Sequence, residues 1–233
     1  DEGVDFRALS VVRGRRFDAS AFRAALAGTS HPARRPDENV ADLEAQLAAN
    51  RTGVRQLEEL AARMGPEVVT AYMEHVQASA AESVRAALRP LAGGTRRFED
   101  AMDDGTPVVV TLTIGDGSLI VDFEGTGPAS EGNLNAPRAV TTSAVLYVLR
   151  TLVGRGIPLN SGCLRPVTIR IPPGSLLDPP EGAAVVAGNV ETSQRVVDVL
   201  LGALGLSAAS QGTMNNVAFG DATFGYYETL GGG

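Results

Sequence analysis

Apolar residues recur at steps of three and four through two consecutive stretches of the chain. In the first, Val40, Leu43, Leu47, Val54, Leu57, Ala61 and Met64 share one helical face, with Asp37 placed to cap the start. Gly65-Pro66 then supplies a capping glycine and a first-turn proline. Val69, Met73, Val76, Ala80, Val84 and Leu88 carry the same period through a second helix. Two amphipathic helices joined so tightly predict an antiparallel hairpin in which each stripe covers the other. Asn50 falls where the first stripe calls for a hydrophobe, and a buried polar residue there would fix helix register. Before this pair the pattern predicts an extended segment, a short helix over 20–27 closed by Gly28, and a linker at Arg34-Arg35-Pro36.

The period changes at Gly93-Gly94. Residues 95–102, 107–114 and 118–123 read as three strands of a meander, and Val108, Val110, Leu112 and Ile114 alternate with smaller or polar residues. Asp103-Asp104-Gly105 and Gly115-Asp116-Gly117 supply the hairpin turns. A polar loop runs to Pro137, followed by a helix to Val153 that is apolar nearly all round and therefore buried. Strands are expected at 167–171 and 183–187, a helix over 190–204, and short strands at 213–219 and 224–230. Helices come first and mixed elements later, which predicts an α+β fold: a helical hairpin, then an antiparallel meander, then mixed α/β segments. The expected division is a mainly helical segment over 1–92 and an α+β segment over 93–233.

Composition narrows the chemistry. All 20 basic residues are arginine, which excludes a Schiff-base or phosphate-loop lysine in this chain. The net charge of −7 speaks against a nucleic-acid surface. His31, His75 and Cys163 are the sparse soft ligands, so neither a disulfide framework nor a cysteine zinc site is expected, and the setting expected is reducing and cytoplasmic. His75 reads as a helix-surface residue, Cys163 as packing, and Asp103 and Asp104 as turn chemistry. No apolar run is long enough to span a membrane. The start at Asp1 and the end on Gly231-Gly232-Gly233 suggest a portion of a longer protein.

Three clusters of small and polar residues stand out from the apolar frame. The first holds Gly132, Asn133, Asn135 and Pro137; the second Gly188, Asn189, Glu191, Thr192, Ser193 and Gln194; the third Ser210, Gln211, Asn215 and Asn216. Their amides and hydroxyls suit a polar amide substrate or an oxyanion. The second opens a helix, where free N–H groups and the dipole favour an anion. Asn189 could equally be an N-cap, with the other polar side chains satisfying turns. Glu191 is the carboxylate inside a cluster: a candidate general base, or a partner of the helix dipole.

The same clusters carry a family likeness. The runs Ala48-Ala49-Asn50-Arg51-Thr52-Gly53, Val121-Asp122-Phe123-Glu124-Gly125-Thr126 and Asn133-Leu134-Asn135-Ala136-Pro137 belong to it. So do Pro158-Leu159-Asn160-Ser161-Gly162-Cys163, Gly188-Asn189-Val190-Glu191-Thr192-Ser193-Gln194-Arg195 and Ser210-Gln211-Gly212-Thr213-Met214-Asn215-Asn216. In that order they resemble the B component of the hydantoinase/oxoprolinase family, with N-methylhydantoinase B, the C-terminal part of 5-oxoprolinase and the related ketone carboxylase subunits. The resemblance implies an ATP-dependent opening of a small cyclic amide, beside an A-type subunit that uses ATP to phosphorylate the ring oxygen. It suggests a substrate site at Asn133, Asn135, Gly188, Asn189, Thr192, Ser193, Gln194, Ser210, Gln211, Asn215 and Asn216, with Glu191 as the candidate catalyst and the helix start near Gly188 holding a phosphorylated intermediate.

The resemblance also implies a divalent metal whose His and Asp ligands lie in an upstream segment of the B component, so no ligand is carried over to this chain. Two other readings compete. One is a portion of an ATP-dependent ketone carboxylase of acetone or acetophenone type; the other is a non-catalytic scaffold or degenerate homologue.

Overall fold

The computed structural model describes residues 4, 6, 8–14, 16–29, 32–91, 93–154, 156, 160–210, 212–213 and 216–229. They fall into two units, Asp1–Glu74 and His75–Gly233, and the division lies within one helix.

In the first unit, β1 (Val12–Arg13) and β2 (Arg16–Phe17) pair antiparallel ahead of α1 (Ala19–Ala27). Asp18 caps α1 by accepting from the Ala21 N–H. Phe22 and Leu26 of α1 meet Val40 of α2 (Pro36–Met64) in a small apolar cluster. α2 begins one residue before the expected cap: Pro36 opens it, where a missing N–H costs nothing, and Asp37 sits in the first turn. Gly65, at φ 89°, separates α2 from α3 (Pro66–Leu88).

Both helices form where the period placed them. Val54, Leu57, Met64, Val68, Tyr72 and Met73 are all exposed, Leu57 at 50% and Tyr72 at 66%. Asn50 is likewise exposed and fixes no register from within a core.

The second unit is built on a four-stranded sheet in the order β3 (Gly94–Ala101), β4 (Pro107–Ile114), β5 (Leu119–Asp122), β6 (Val167–Arg170). β3, β4 and β5 form the antiparallel meander, and β6 joins β5 in parallel. The crossover between β5 and β6 carries α4 (Arg138–Val153), as a parallel connection requires. Val108, Val110, Leu112 and Ile114 point from β4 into one core. There they meet Val84 and Leu88 of α3, Val145, Val148 and Leu149 of α4, and Val196, Val199 and Leu200 of α5 (Thr192–Leu204). Phe123 and Cys163 are fully buried in the same core. β5 stops opposite Thr111, and Thr126 takes over its role further along β4, where its hydroxyl accepts from the Val109 N–H and donates to the Val109 carbonyl.

Residues 183–187 are not a strand. They are an irregular run into a 3-10 turn at Val186–Gly188, because Asn133 and Asn135 take up the backbone groups that a ladder would have used. β7 (Asn216–Gly220) and β8 (Gly225–Thr229) close the described chain as an exposed hairpin. On it, the Phe219 ring lies 4.8 Å from that of Tyr226. Among the described residues no helix is long and apolar enough to cross a membrane.

Candidate functional site

The first two polar clusters meet through the backbone. The Asn133 carbonyl accepts from the Ala187 N–H at 2.9 Å, and the Leu134 carbonyl accepts from the buried Thr192 hydroxyl at the head of α5. Asn135, with no exposed surface, turns its amide inward. Its Oδ1 accepts from the Ser130 N–H at 2.8 Å, and its Nδ2 donates to the carbonyls of Ser130, Gly132 and Ala184 at 3.0, 3.1 and 2.9 Å. Gly188 is buried directly against this segment: a β-carbon there would overlap the Asn135 carbonyl and lie 2.9 Å from the Ala136 Cα. Asn135, Gly188 and Thr192 thus hold the loop to the helix. Asn133 keeps its side chain at the surface.

The two N–H groups just ahead of α5 are already engaged. The N–H groups of Val190 and Glu191 both bond the Ala187 carbonyl, and Glu191, not Asn189, stands at the N-cap. Glu191 makes no side-chain hydrogen bond to the helix it caps. Asn189 is exposed, and its carbonyl accepts from the Ser193 hydroxyl at 2.6 Å. The Gln194 amide donates to the Val190 carbonyl at 3.1 Å.

Ser193 and Gln194 nevertheless border a cleft of about 560 Å³, where residues from two clusters share a cavity wall. Ala144 and Tyr147 of α4 form one side, Val197 and Leu201 of α5 the floor, and Ser207, Ala208, Ala209 and Ser210 the opposite wall. Tyr147 is 61% exposed at the rim. The apolar floor and the hydroxyl and amide groups at the edge suit a small ring with a hydrocarbon face and a polar amide edge. Asn216 lies elsewhere, in the β7–β8 hairpin, where its Oδ1 accepts from Thr229. Gln211, Asn215 and His31 lie outside the described residues.

One residue bordering the cleft, Asp198, was not singled out in the sequence. Asp198, 5% exposed, accepts from both the N–H and the hydroxyl of Ser210 at 3.0 Å. Thr213 donates its hydroxyl to Glu191 Oε1 at 2.7 Å. The sequence signal was an acid, Asp198, embedded among Val196, Val197, Leu200 and Leu201, where an apolar helix face leads one to expect a hydrophobe.

Arg195 pairs with Asp100 of β3 at 2.7 Å, and its Nε is buried without a hydrogen-bond partner. Burial works against charge on Asp100, but the Ala101 N–H and the Arg195 guanidinium outweigh it and hold the carboxyl below its ordinary value. A depressed carboxyl stabilises the fold above the unfolded-state pKa of about 3.9, and the effect is lost as pH falls through the folded value. Asp100→Asn is therefore expected to lower the urea midpoint at pH 7, with the gap to the parent chain closing progressively below about pH 4. A gap that persists unchanged at pH 2 would show that the pair is not its source.

Among the described residues no group of three or more His, Cys, Asp or Glu is placed to hold a metal ion. The divalent cation implied by the resemblance finds no donor set in them.

The whole chain, residues 1–233, matches the hydantoinase B/oxoprolinase family model, and the protein belongs to that family. It is 51% identical over 216 residues to 5-oxoprolinase 1 of Arabidopsis thaliana, covering 86% of this chain and 17% of that protein. The 5-oxoprolinase of Dictyostelium discoideum is 44% identical, matching all of this chain with 19% of its own length. In fold, the chain superposes on the ATP-dependent caprolactamase of Pseudomonas jessenii with a TM-score of 0.80 at 23% identity, over 98% of this chain and 41% of that one. The chain thus spans under a fifth of the oxoprolinases it matches.

Proposed function

We propose that this chain is the portion of a hydantoinase B/oxoprolinase-type enzyme that cradles a small cyclic amide during ATP-dependent ring opening. The observation that carries the reading is the cleft itself. Two motif runs at either end of α5 deliver Ser193, Gln194 and Ser210 to its edge above an apolar floor, and its volume of about 560 Å³ suits a ring substrate with room for an attached phosphate.

In this reading an A-type subunit transfers the γ-phosphoryl group of ATP to the ring amide oxygen, leaving ADP. Water then adds at the activated carbon, and the C–N bond opens as the ring nitrogen takes up a proton to leave as the amine. The acyl phosphate left behind is cleaved by a second water, releasing inorganic phosphate and the carboxylate. The part of this chain is orientation. The floor formed by Val197 and Leu201 takes the methylene face, and the Ser193 hydroxyl and Gln194 amide address the polar edge. Catalytic groups and the metal site belong, on this proposal, to the upstream segment of the B component and to the A-type partner.

The test is a substrate panel on the complete two-component enzyme containing this chain: 5-oxoproline, hydantoin, and acetone with bicarbonate, each with and without ATP. ATP-dependent ring opening is expected, and Gln194→Ala should raise KM about tenfold while kcat holds within about threefold. ATP-dependent carboxylation of acetone in its place would assign the chain to a ketone carboxylase. An assembled complex with no turnover on any of the three would point to the scaffold reading.

A further inference from the structure

We propose that Glu191, Arg195 and Asp198 form a clasp along one face of α5 that holds residues 207–210, Gly212 and Thr213 as the outer wall of the cleft, so that Glu191 and Asp198 are positioning residues and the clasped wall sets the size of ring admitted.

The three residues stand four and then three positions apart, which puts them on one line of the helix surface. Each meets a successive part of the same segment. Asp198 receives the Ser210 N–H and hydroxyl at 3.0 Å. The Arg195 guanidinium lies beneath Gly212, where a β-carbon would approach its Nη2 to 3.3 Å and where φ is +73°. Glu191 receives the Thr213 hydroxyl at 2.7 Å. The Ser210 hydroxyl also accepts from the Gly212 N–H at 3.1 Å, which ties the turn together internally. A segment with little apolar side-chain surface of its own is thereby given one conformation against the helix.

That segment is what closes the cleft. Ser207, Ala208, Ala209 and Ser210 form the side facing α4, and their small side chains leave the width of the cavity to be set by where the backbone is held. Asp198 borders the cleft with both oxygens engaged by Ser210. Glu191 does not line the cleft, and its Oε1 is engaged by Thr213. A general base must reach the proton it removes; Glu191 instead reaches the wall.

The inference rests on the cyclic-amide reading for its kinetic readout but not for its structural one. In the complete enzyme, Ser210→Ala and Thr213→Val remove the hydroxyl side of the clasp from a half-exposed segment without disturbing the core. Each is expected to raise KM for the ring amide about tenfold, with kcat within about threefold. Glu191→Gln keeps an acceptor oxygen for Thr213 and should stay within about threefold in both constants, whereas Asp198→Asn loses one of its two acceptors and should raise KM as Ser210→Ala does. A fall of about a hundredfold in kcat with KM unchanged for Glu191→Gln would identify a proton-transfer residue and overturn the proposal.

Peptide hydrogen exchange over 207–213 is measured in the same variants. Ser210→Ala removes the acceptor of the Gly212 N–H, and exchange there should rise about tenfold while β4 and β5 keep their protection. Exchange and KM both unchanged in Ser210→Ala and Thr213→Val would end the proposal. If the parent enzyme opens no ring amide, the cyclic-amide reading falls, and exchange alone still decides whether the clasp exists.

Discussion

Asn135→Asp is expected to destabilise the second unit by about 4 kcal/mol although it changes the side chain by a single group. The replacement keeps the shape and the Oδ1 bond from the Ser130 N–H. It turns a two-proton donor, shared among the carbonyls of Ser130, Gly132 and Ala184, into an oxygen facing three oxygens. The site has no exposed surface through which water could replace the lost donors. Asn135→Ala should cost less, about 3 kcal/mol, because it removes the donor without adding repulsion. Lowering the pH should recover part of the aspartate variant's loss, since a protonated carboxyl regains one donor. Urea unfolding followed by circular dichroism gives all three values. If Asp and Ala were equally tolerated, the buried amide would not be the link between the 130–135 loop and residue 184.

Gly188→Ala is the second large effect, at about 3 kcal/mol or more. A methyl group in a core finds relief when the neighbour is the end of a flexible side chain. Here the neighbour is the Asn135 carbonyl and the Ala136 Cα, both backbone, so relief means moving the segment that carries the Asn135 network. The variant should therefore also loosen the start of α5, seen as faster exchange at Thr192 and Ser193. Gly132→Ala in the same cluster is the control. A β-carbon there meets only the Ser130 hydroxyl at 3.4 Å, and the change should stay within about 1 kcal/mol. A family motif glycine and an asparagine that suggest ligand chemistry in the sequence thus take on another duty: they fix the helix whose next turn borders the cleft.

That contrast marks the limit of reading the motif runs directly. Asn and Gly in a small polar loop look the same in sequence whether their groups face a substrate or a neighbouring backbone. Asn135 faces Ala184, 49 residues away, and only the fold brings that carbonyl within reach. Glu191 and Thr213 are separated by 22 residues and an intervening helix, so their bond could not be inferred from either cluster alone. Asp198 was visible as an acid on an apolar face, but its partner was not.

Local pattern settled what depends on neighbours in sequence. The period of three and four placed α2, α3, α4 and α5, and alternation placed β3, β4 and β5 with their aspartate-glycine turns, because helix and strand geometry repeat within a few residues. The motif runs, in order, named the family that the whole-chain match establishes. Tertiary structure decided what depends on residues brought together from afar. It paired β6 in parallel with β5, and it left Val54, Leu57, Met64 and Met73 exposed. It dissolved the strand expected at 183–187 into a turn against Asn133 and Asn135. It also sorted the polar clusters into residues that border the cleft and residues that hold its frame. Period records which face of an element is apolar, while hydrogen-bond direction and burial are fixed only when another element arrives to meet that face.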